Sequence, residues 1–265
     1  MHAFSEWKLD TRRIGRRVLV YDRLDSTNSA AVEFATNSAN DGLVIIAREQ
    51  TAGRGQHGRS WQCPPGTGVL MSVLLFPPPP LRRPAVLTGW AAVSVCETIR
   101  QATGIQAKIK WPNDVLIRGR KVCGILCECG TRNAEGDVPG TPHVIVGIGL
   151  NVNQPADVFR LPGLEQGTSL MVTHGEPFDC DVIARRLIES LDEEYDRLAS
   201  GDLATLEACW KWRIGLLGRQ VIVECNDTDH RGRLREMSFD GLELEQTNGH
   251  TLRLRPELVQ HIREG

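Results

Sequence analysis

Short runs of apolar and β-branched residues recur through the first 150 residues, and each run is closed by Gly, Pro, Asn or Asp. Such runs are typical of buried strands, because strands are short and turn residues end them. We predict strands at residues 17–21, 43–47, 69–76, 115–117, 123–129 and 143–149, with a loop at 131–142. These strands are expected to form one sheet.

Helical periodicity appears between and after these strands. Apolar residues recur every three or four positions in 28–36, Pro84–Thr103, Cys180–Ala199 and 203–213. Gly104 follows the second segment as a common helix terminator, and Asp179 precedes the third as an N-cap. We expect these helices to cover the sheet, which gives an α+β fold.

The pattern changes after Gly218 to four short predicted strands, at Gln220–Cys225, 232–237, 242–246 and 251–255. They are joined by Asn226-Asp227, Asp240-Gly241 and Asn248-Gly249, dipeptides that suit tight hairpin turns. The pattern predicts a small antiparallel barrel. We therefore expect two domains, at residues 1–215 and 216–265.

Composition and charge narrow the class of protein. Hydrophobic residues make up 41% and charged residues 24%, which predicts a folded core rather than a disordered chain. The net charge of −2 gives no overall attraction to nucleic acid or to an anionic membrane. No apolar run is long enough to span a bilayer and the N-terminus lacks the apolar stretch of a secretory signal, so we expect a cytoplasmic protein. We also expect no three-helix DNA-binding module before the first helix.

The eight cysteines contain no CxxC pair and lie mostly in apolar segments. Buried free thiols are therefore expected. Cys123, Cys127 and Cys129 share one face of a predicted strand, but a closed zinc site needs ligands from a second chain segment. No such segment is evident, so we expect no metal site here.

A glycine-rich loop follows the strand at 43–47. Gly53, Gly55 and Gly58 satisfy the dinucleotide-binding spacing, and Arg59-Ser60 nearly completes a P-loop. Both patterns require a helix directly afterwards, whereas Pro64 and Pro65 exclude one here. The loop is therefore predicted to be a strand-to-strand flap, which either closes over a phosphate or remains a mobile hairpin with solvated arginines.

Lysine is rare in this chain, occurring only at five positions: Lys8, Lys108, Lys110, Lys121 and Lys211. Lys110 begins the run Lys110-Trp111-Pro112-Asn113-Asp114, in which proline restricts the backbone and fixes the residues beside it. Lys110 is thus either a rigidly held functional cation or a surface lysine beside a structural turn.

Five ordered motifs resemble those of the biotin–protein ligases. They are Asp25-Ser26-Thr27-Asn28, Glu49-Gln50-Thr51-Ala52-Gly53-Arg54-Gly55, Lys110-Trp111-Pro112-Asn113-Asp114, Gly124-Ile125-Leu126 and Gly147-Ile148-Gly149-Leu150-Asn151-Val152-Asn153. The resemblance is strong over residues 18–153 and weaker through the C-terminal barrel.

The resemblance implies a catalytic domain related to class II aminoacyl-tRNA synthetases, with a mixed sheet and a Src-homology-3-like C-terminal barrel. It implies an enzyme that activates biotin with ATP to biotinyl-5'-AMP and transfers the biotin to a lysine of a biotin carboxyl carrier protein. The chain is similar to the monofunctional members, which lack the N-terminal DNA-binding domain. Mg²⁺ is expected to accompany ATP without a dedicated metal motif, with Asn113 as a helper.

The same resemblance assigns site residues. Lys110 and Arg54 are expected to be catalytic. The expected biotin-binding residues are Ser26, Thr27, Asn28, Gln50, Gly53, Arg54, Gly55, Gln56, Lys110 and Gly124. The expected adenylate and phosphate residues are Gly53, Arg54, Gly55, Gln56, His57, Gly58, Arg59, Trp61, Asn113 and Asn151.

Gln56 departs from the family pattern, because many members carry a second basic residue at this position. Weaker retention of the adenylate is therefore expected. Two rivals remain open: a lipoate–protein ligase, which shares the fold and the adenylate chemistry, and a non-catalytic biotin-binding sensor. Oligomeric state, including a homodimer, and the identity of the carboxylase also stay open.

Overall fold

The computed structural model describes residues 4–132, 141–225 and 228–265, and its main feature is a mixed eight-stranded sheet. Its strands are β1 (Ser5–Trp7), β2 (Val18–Leu24), β3 (Val44–Gln50), β4 (Gly68–Leu75), β5 (Lys108–Lys110), β6 (Asp114–Ile117), β7 (Arg120–Arg132) and β8 (Thr141–Asn151). The sheet order is β1-β2-β3-β4-β8-β7-β6-β5, and among these strands only β2 and β3 pair in parallel.

All six strands predicted in this part of the chain are confirmed, with shifted ends. The predicted loop at 131–142 is wrong at both ends, because Thr131 and Arg132 pair with Pro142 and Thr141. Residues 133–140 of that loop lie outside the described residues. β1 was not predicted, since three residues are too short for an alternating pattern to be recognised.

Helices cover both faces of the sheet. α1 (Thr27–Glu33) packs on one face with a cluster that includes Ala31 and Ile45. α2 (Pro84–Thr103) and α4 (Cys180–Ala199) pack on the other with Trp90 and Leu187. α3 (Leu170–His174) and α5 (Leu203–Ile214) complete the set. The α+β prediction is confirmed.

The C-terminal residues form a second, five-stranded antiparallel sheet. Its strands are β9 (Gln220–Cys225), β10 (Thr228–Ser238), β11 (Gly241–Glu245), β12 (Thr251–Leu254) and β13 (His261–Glu264), in the sheet order β12-β11-β10-β9-β13. The expectation of four strands was wrong, because β13 is only four residues long and follows a 3-10 turn. The Asn226-Asp227 turn lies outside the described residues.

The two sheets share a continuous core. The Trp210 and Phe239 ring centroids are 4.7 Å apart, and Trp111 Nε1 donates a hydrogen bond of 3.2 Å to the carbonyl of Val259. These contacts join the C-terminal sheet to α5 and to the turn after β5. The second sheet therefore packs against that turn. The domain boundary at residue 215 stays a prediction.

Within the described residues, no helix has both the length and the hydropathy that crossing a membrane requires.

Candidate active site

Glycines on one face of β7 and β8 leave a strip of the sheet without side chains. Gly124 pairs with Gly149, and Gly147 lies two residues from Gly149 on the same face. Side chains of neighbouring elements therefore approach the backbone closely, as the Asn28 amide does at Gly147. A cavity of about 390 Å³ lies above this strip, a size suited to a small-molecule ligand.

Buried polar side chains line one end of the cavity. Ser26, Thr27 and Asn28 are each 3% exposed, at the start of α1. Thr27 donates from its backbone nitrogen to Gln50 Oε1 at 2.7 Å, which fixes the Gln50 amide. A satisfied network of this kind holds its members in one orientation.

Ser72 supports this network from below. Its hydroxyl lies 2.7 Å from Thr27 Oγ1 and 2.5 Å from Asn28 Oδ1, and its side chain is fully buried in β4. Because Asn28 Oδ1 can only accept, Ser72 donates to it. This role was not predicted, because Ser72 lies within an apolar run of the sequence.

The glycine-rich loop connects β3 directly to β4, as predicted, without an intervening α-helix. It contains a 3-10 turn at Gln56–Gly58, in which His57 has a left-handed φ of 55°. The Gly55 backbone nitrogen donates to the carbonyl of Arg59 at 2.7 Å, and Arg54 and Ser60 pair through their backbones in an isolated antiparallel β-bridge. The loop is thus a small hairpin over the cavity.

Trp61 closes the loop against the glycine strip. Its ring lies on Gly124 and Gly149, so a β-carbon at residue 124 would stand 2.8 Å from Cζ3. The Trp61 Nε1 is buried and has no hydrogen-bond partner within the described residues. The ring therefore occupies the space that the glycines leave, with an unused donor.

Four cationic side chains line this one cavity: Arg54, Arg59, Lys110 and Lys121. Arg54 comes from the loop, whereas Lys110 ends β5, immediately before the cis Trp111–Pro112 peptide. No ion pair of Lys110 is found in the described parts of the chain. The structure thus brings together the two residues that the sequence singled out, in a cavity that is locally cationic although the chain carries −2 overall.

Lys121 was not identified from the sequence. Its Nζ lies 2.7 Å from Asp114 Oδ1, as an ion pair without hydrogen-bond alignment, and 5.5 Å from the centre of the Trp61 ring. A signal was available: Lys121 is another of the rare lysines and lies three residues before Gly124.

Glu128 was also missed. Its Oε2 accepts hydrogen bonds from Asn28 Nδ2 at 2.6 Å and from Arg54 Nη2 at 2.9 Å. One carboxylate oxygen therefore joins Asn28, at the start of α1, to Arg54 in the loop. Position 128 lies four residues beyond Gly124 on the same strand face, which the strand period could have indicated.

The two predicted adenylate asparagines lie in the cavity wall but are bonded to protein. Asn113 Nδ2 donates to the carbonyl of Ile125 at 2.7 Å. Asn151 donates to the carbonyl of Thr168 and accepts from Gln154, both at 3.0 Å. Any contact with a ligand therefore uses the hydrogen-bond donors and acceptors of these amides that are not bonded to protein.

Most predicted site residues line the cavity; they are Ser26, Thr27, Asn28, Gln50, Arg54, Gly55, Gln56, His57, Arg59, Trp61, Lys110, Asn113, Gly124 and Asn151. Gly53 and Gly58 do not line it. Gly53 instead packs against the Trp61 carbonyl, where a β-carbon would be 2.5 Å away. His261 of β13 lines the cavity and was not predicted.

Cys127 and Cys129 lie on the opposite face of β7. A hydrogen bond from Cys127 lowers the pKa of the exposed Cys129 thiol to about 7, whereas the pKa of Cys127 is raised by that bond and by burial. Among the described residues, no group of three His, Cys, Asp or Glu side chains is arranged to hold a metal ion.

Comparison with known proteins places this geometry in a family. Residues 20–151 match the Biotin/lipoate A/B protein ligase family model. The chain is 35% identical to the bifunctional ligase/repressor BirA of Bacillus subtilis, over 91% of this chain and 72% of that protein. It is 32% identical to the biotin–[acetyl-CoA-carboxylase] ligase of Paracoccus denitrificans, over 83% of this chain and 88% of that protein.

The fold is similar to that of the biotin protein ligase from Aquifex aeolicus in complex with biotin and ATP. The TM-score is 0.76 with 23% identity, over 94% of this chain and 99% of that chain. The likeness in fold and the identity to two curated ligases agree in one assignment. The chain belongs to the Biotin/lipoate A/B protein ligase family and, within it, to the biotin–protein ligases.

Proposed function

We propose that this protein is an ATP-dependent biotin–protein ligase, which forms biotinyl-5'-AMP and transfers the biotin to a lysine of a carboxyl carrier protein. The observation that carries the proposal is one cavity lined by two kinds of group. Buried, hydrogen-bonded amide and hydroxyl groups line it together with the cations Arg54, Lys110 and Lys121. The amide and hydroxyl groups suit a polar ring, and the cations suit a carboxylate and a phosphate.

The first step joins two anions. The biotin carboxylate attacks the α-phosphorus of ATP, a bond to the bridging oxygen breaks, and pyrophosphate leaves. Arg54 and Lys110 would offset the repulsion and stabilise the charge that develops on the phosphoryl oxygens. Lys121 lies in the same cavity and is proposed as a third cation for this junction.

Mg²⁺ would enter with the triphosphate, screening its charge. Asp114 and Asn113 both line the cavity and would supply a carboxylate and an amide oxygen for it. Because Mg²⁺ retains waters and binds phosphates, one carboxylate and one amide fit it without a dedicated cluster of protein ligands.

In the second step an acceptor lysine attacks the acyl carbon of the mixed anhydride, AMP leaves, and an amide forms. Trp61 and the loop before β4 would cover the adenylate and keep water from hydrolysing it. The relatives named biotin–[acetyl-CoA-carboxylase] ligase support a carrier domain of a carboxylase as the acceptor.

The test is biotin-dependent exchange between labelled pyrophosphate and ATP, followed by transfer to a carrier domain. Exchange should require biotin, and lipoate should not replace it. Exchange with lipoate alone would support the rival lipoate–protein ligase, and biotin binding without exchange would support a sensor. Either result would refute the proposal.

We also propose the finer architecture. Residues 1–215 would be a catalytic domain related to class II aminoacyl-tRNA synthetases, and residues 216–265 a Src-homology-3-like barrel. The mixed sheet with its flanking helices and the separate five-stranded antiparallel sheet support this division. The monofunctional role without DNA binding and a cytoplasmic location stay predictions, and the oligomeric state, including a homodimer, stays open.

A further inference from the structure

Glu128 does not line the cavity, but its carboxylate is bonded to Asn28 and Arg54, which line a site that must bind two anionic reactants. Its side chain is 36% exposed, beside the Arg54 side chain at 43%. Both of its hydrogen bonds fall on Oε2, one from Asn28 and one from Arg54. A negative group in this position needs a reason, because it reduces the attraction of Arg54 for phosphate.

A chain of hydrogen bonds joins the buried polar side chains to the glycine-rich loop. Gln50 accepts from the backbone nitrogen of Thr27, the Ser72 hydroxyl lies between Thr27 and Asn28, and Asn28 donates to Glu128. Since Glu128 also accepts from Arg54, the chain of bonds reaches the loop. Glu128 is therefore the link between these buried side chains and Arg54.

We propose that Glu128 is a positioning residue, which holds the Arg54 guanidinium at the cavity wall and competes for it with the phosphoryl groups of ATP. This inference rests on the proposed function, because it assigns Arg54 to phosphate. A guanidinium group binds carboxylate oxygens and phosphate oxygens with similar geometry. The Glu128 carboxylate and a phosphate therefore compete for the same N–H groups of Arg54. Incoming ATP must weaken or replace the Glu128 bond.

Removing the negative charge of Glu128 is expected to tighten the binding of MgATP. Glu128→Gln keeps an acceptor oxygen for Asn28 but loses the negative charge beside Arg54. An exposed ion pair has a small net energy, so the affinity for MgATP should rise roughly twofold to fivefold. A residue with only a structural role would leave the affinity unchanged or weaken it.

The experiment measures the dissociation constant of MgATP by calorimetry for the whole chain, with biotin affinity measured in parallel. Glu128→Gln should tighten MgATP binding and leave biotin binding within about twofold, since a single neutral hydrogen bond is retained at Asn28. In an Arg54→Gln background the same substitution should have no further effect. Unchanged or weaker MgATP binding, or a tightening that persists without Arg54, would overturn the proposal.

Arg48 and Asp181 provide a matched control. Their ion pair also measures 2.9 Å with side chains 40% and 37% exposed, but neither residue lines the cavity. Asp181→Asn should leave MgATP affinity unchanged. If Glu128→Gln does not fold, Glu128→Asp takes its place, because the shorter side chain withdraws the carboxylate from Arg54. Glu128→Asp should tighten MgATP binding by a smaller factor than Glu128→Gln. Unchanged MgATP binding in Glu128→Asp would then refute the proposal. The wild-type exchange assay separates this outcome from failure of the proposed function.

Discussion

The Trp61 ring lies so close to Gly124 that a β-carbon at residue 124 would stand 2.8 Å from its Cζ3 atom. Gly124→Ala must therefore displace the ring or bend β7. We expect biotin affinity to fall by about tenfold or more, since overpacking costs about 1–3 kcal/mol. Calorimetric titration of biotin measures this.

Gly130→Ala is the matched control for that change. It lies on the same strand and face, and its β-carbon would meet His143 Nε2 at 2.9 Å, outside the cavity lining. Thermal stability should fall in both variants, but biotin affinity only in Gly124→Ala. Equal losses of biotin affinity would show that the Trp61 contact is not specific to the site.

Lys110→Met should reduce the rate of adenylate formation by on the order of 10²–10³, because a fixed cation at a developing charge contributes several kcal/mol. Single-turnover formation of biotinyl-AMP is the measurement. Lys108, two residues earlier on β5 and not in the cavity lining, is the control, and Lys108→Met should retain the wild-type rate. A Lys110→Met enzyme with normal adenylation would remove Lys110 from the mechanism.

Gln56→Arg should slow the dissociation of biotinyl-AMP severalfold, because Gln56 lines the cavity and the substitution adds a cation beside the phosphate. Pre-steady-state release of labelled adenylate measures the off-rate. Gln106→Arg, which makes the same charge change at an exposed position outside the cavity lining, should have no effect. An off-rate that is unchanged or faster in Gln56→Arg contradicts the expectation.

Cys129 should be the most reactive of the described thiols near neutral pH. Its pKa is lowered to about 7 by the Cys127 hydrogen bond, so the thiolate fraction rises as the pH increases through 7. The pKa of Cys180 is raised to about 11, mainly by burial, so Cys180 should react slowly at that pH. Alkylation with mass-spectrometric readout between pH 6 and about 9 tests the order.

Removal of Cys127 supplies the control for this titration. Cys127→Ala deletes the hydrogen bond, so the midpoint of Cys129 alkylation should move to higher pH. A midpoint that stays near 7 in the variant would mean that another group lowers the pKa of Cys129.

Asp192 should be important for stability. The residue is 5% exposed, and its carboxylate accepts from the backbone nitrogens of Arg12, Arg13 and Ile14, each at 2.7 Å. Asp192→Ala leaves these donors without that partner and should lower the free energy of unfolding by about 3 kcal/mol. Urea denaturation measures this change. Asp196→Ala, one turn later with its side chain 29% exposed, should change the free energy of unfolding much less, and equal effects would refute the account.

The elements predicted most accurately from the sequence are those with residues that mark where the element begins or ends. α2 has the predicted bounds because Pro84 opens it and Gly104, with a φ of 72°, closes it. α4 begins after Asp179, whose side chain accepts from the first-turn amides. β1 and β13 were missed because strands of three and four residues are stabilised by pairing with distant segments.

The site was predictable to the extent that its residues lie in contiguous motifs. Ser72, Glu128 and His261 were missed because each acquires its place through contacts with residues far away in the sequence. The strand period places Glu128 on the same face as Gly124, but its bond to Arg54 forms only when β7 lies beneath the loop that follows β3. That contact depends on sheet order, which hydrophobic periodicity does not specify.

The account depends most on Arg54 and Lys110 acting at one carboxylate–phosphoryl junction. A crystal structure with biotin and a non-hydrolysable adenylate analogue tests this directly. We expect Arg54 and Lys110 each to place a nitrogen within about 3.2 Å of an oxygen at that junction. The account would be contradicted if the Arg54 and Lys110 side chains pointed to bulk solvent, or if the adenylate analogue were bound in a different cavity from these side chains.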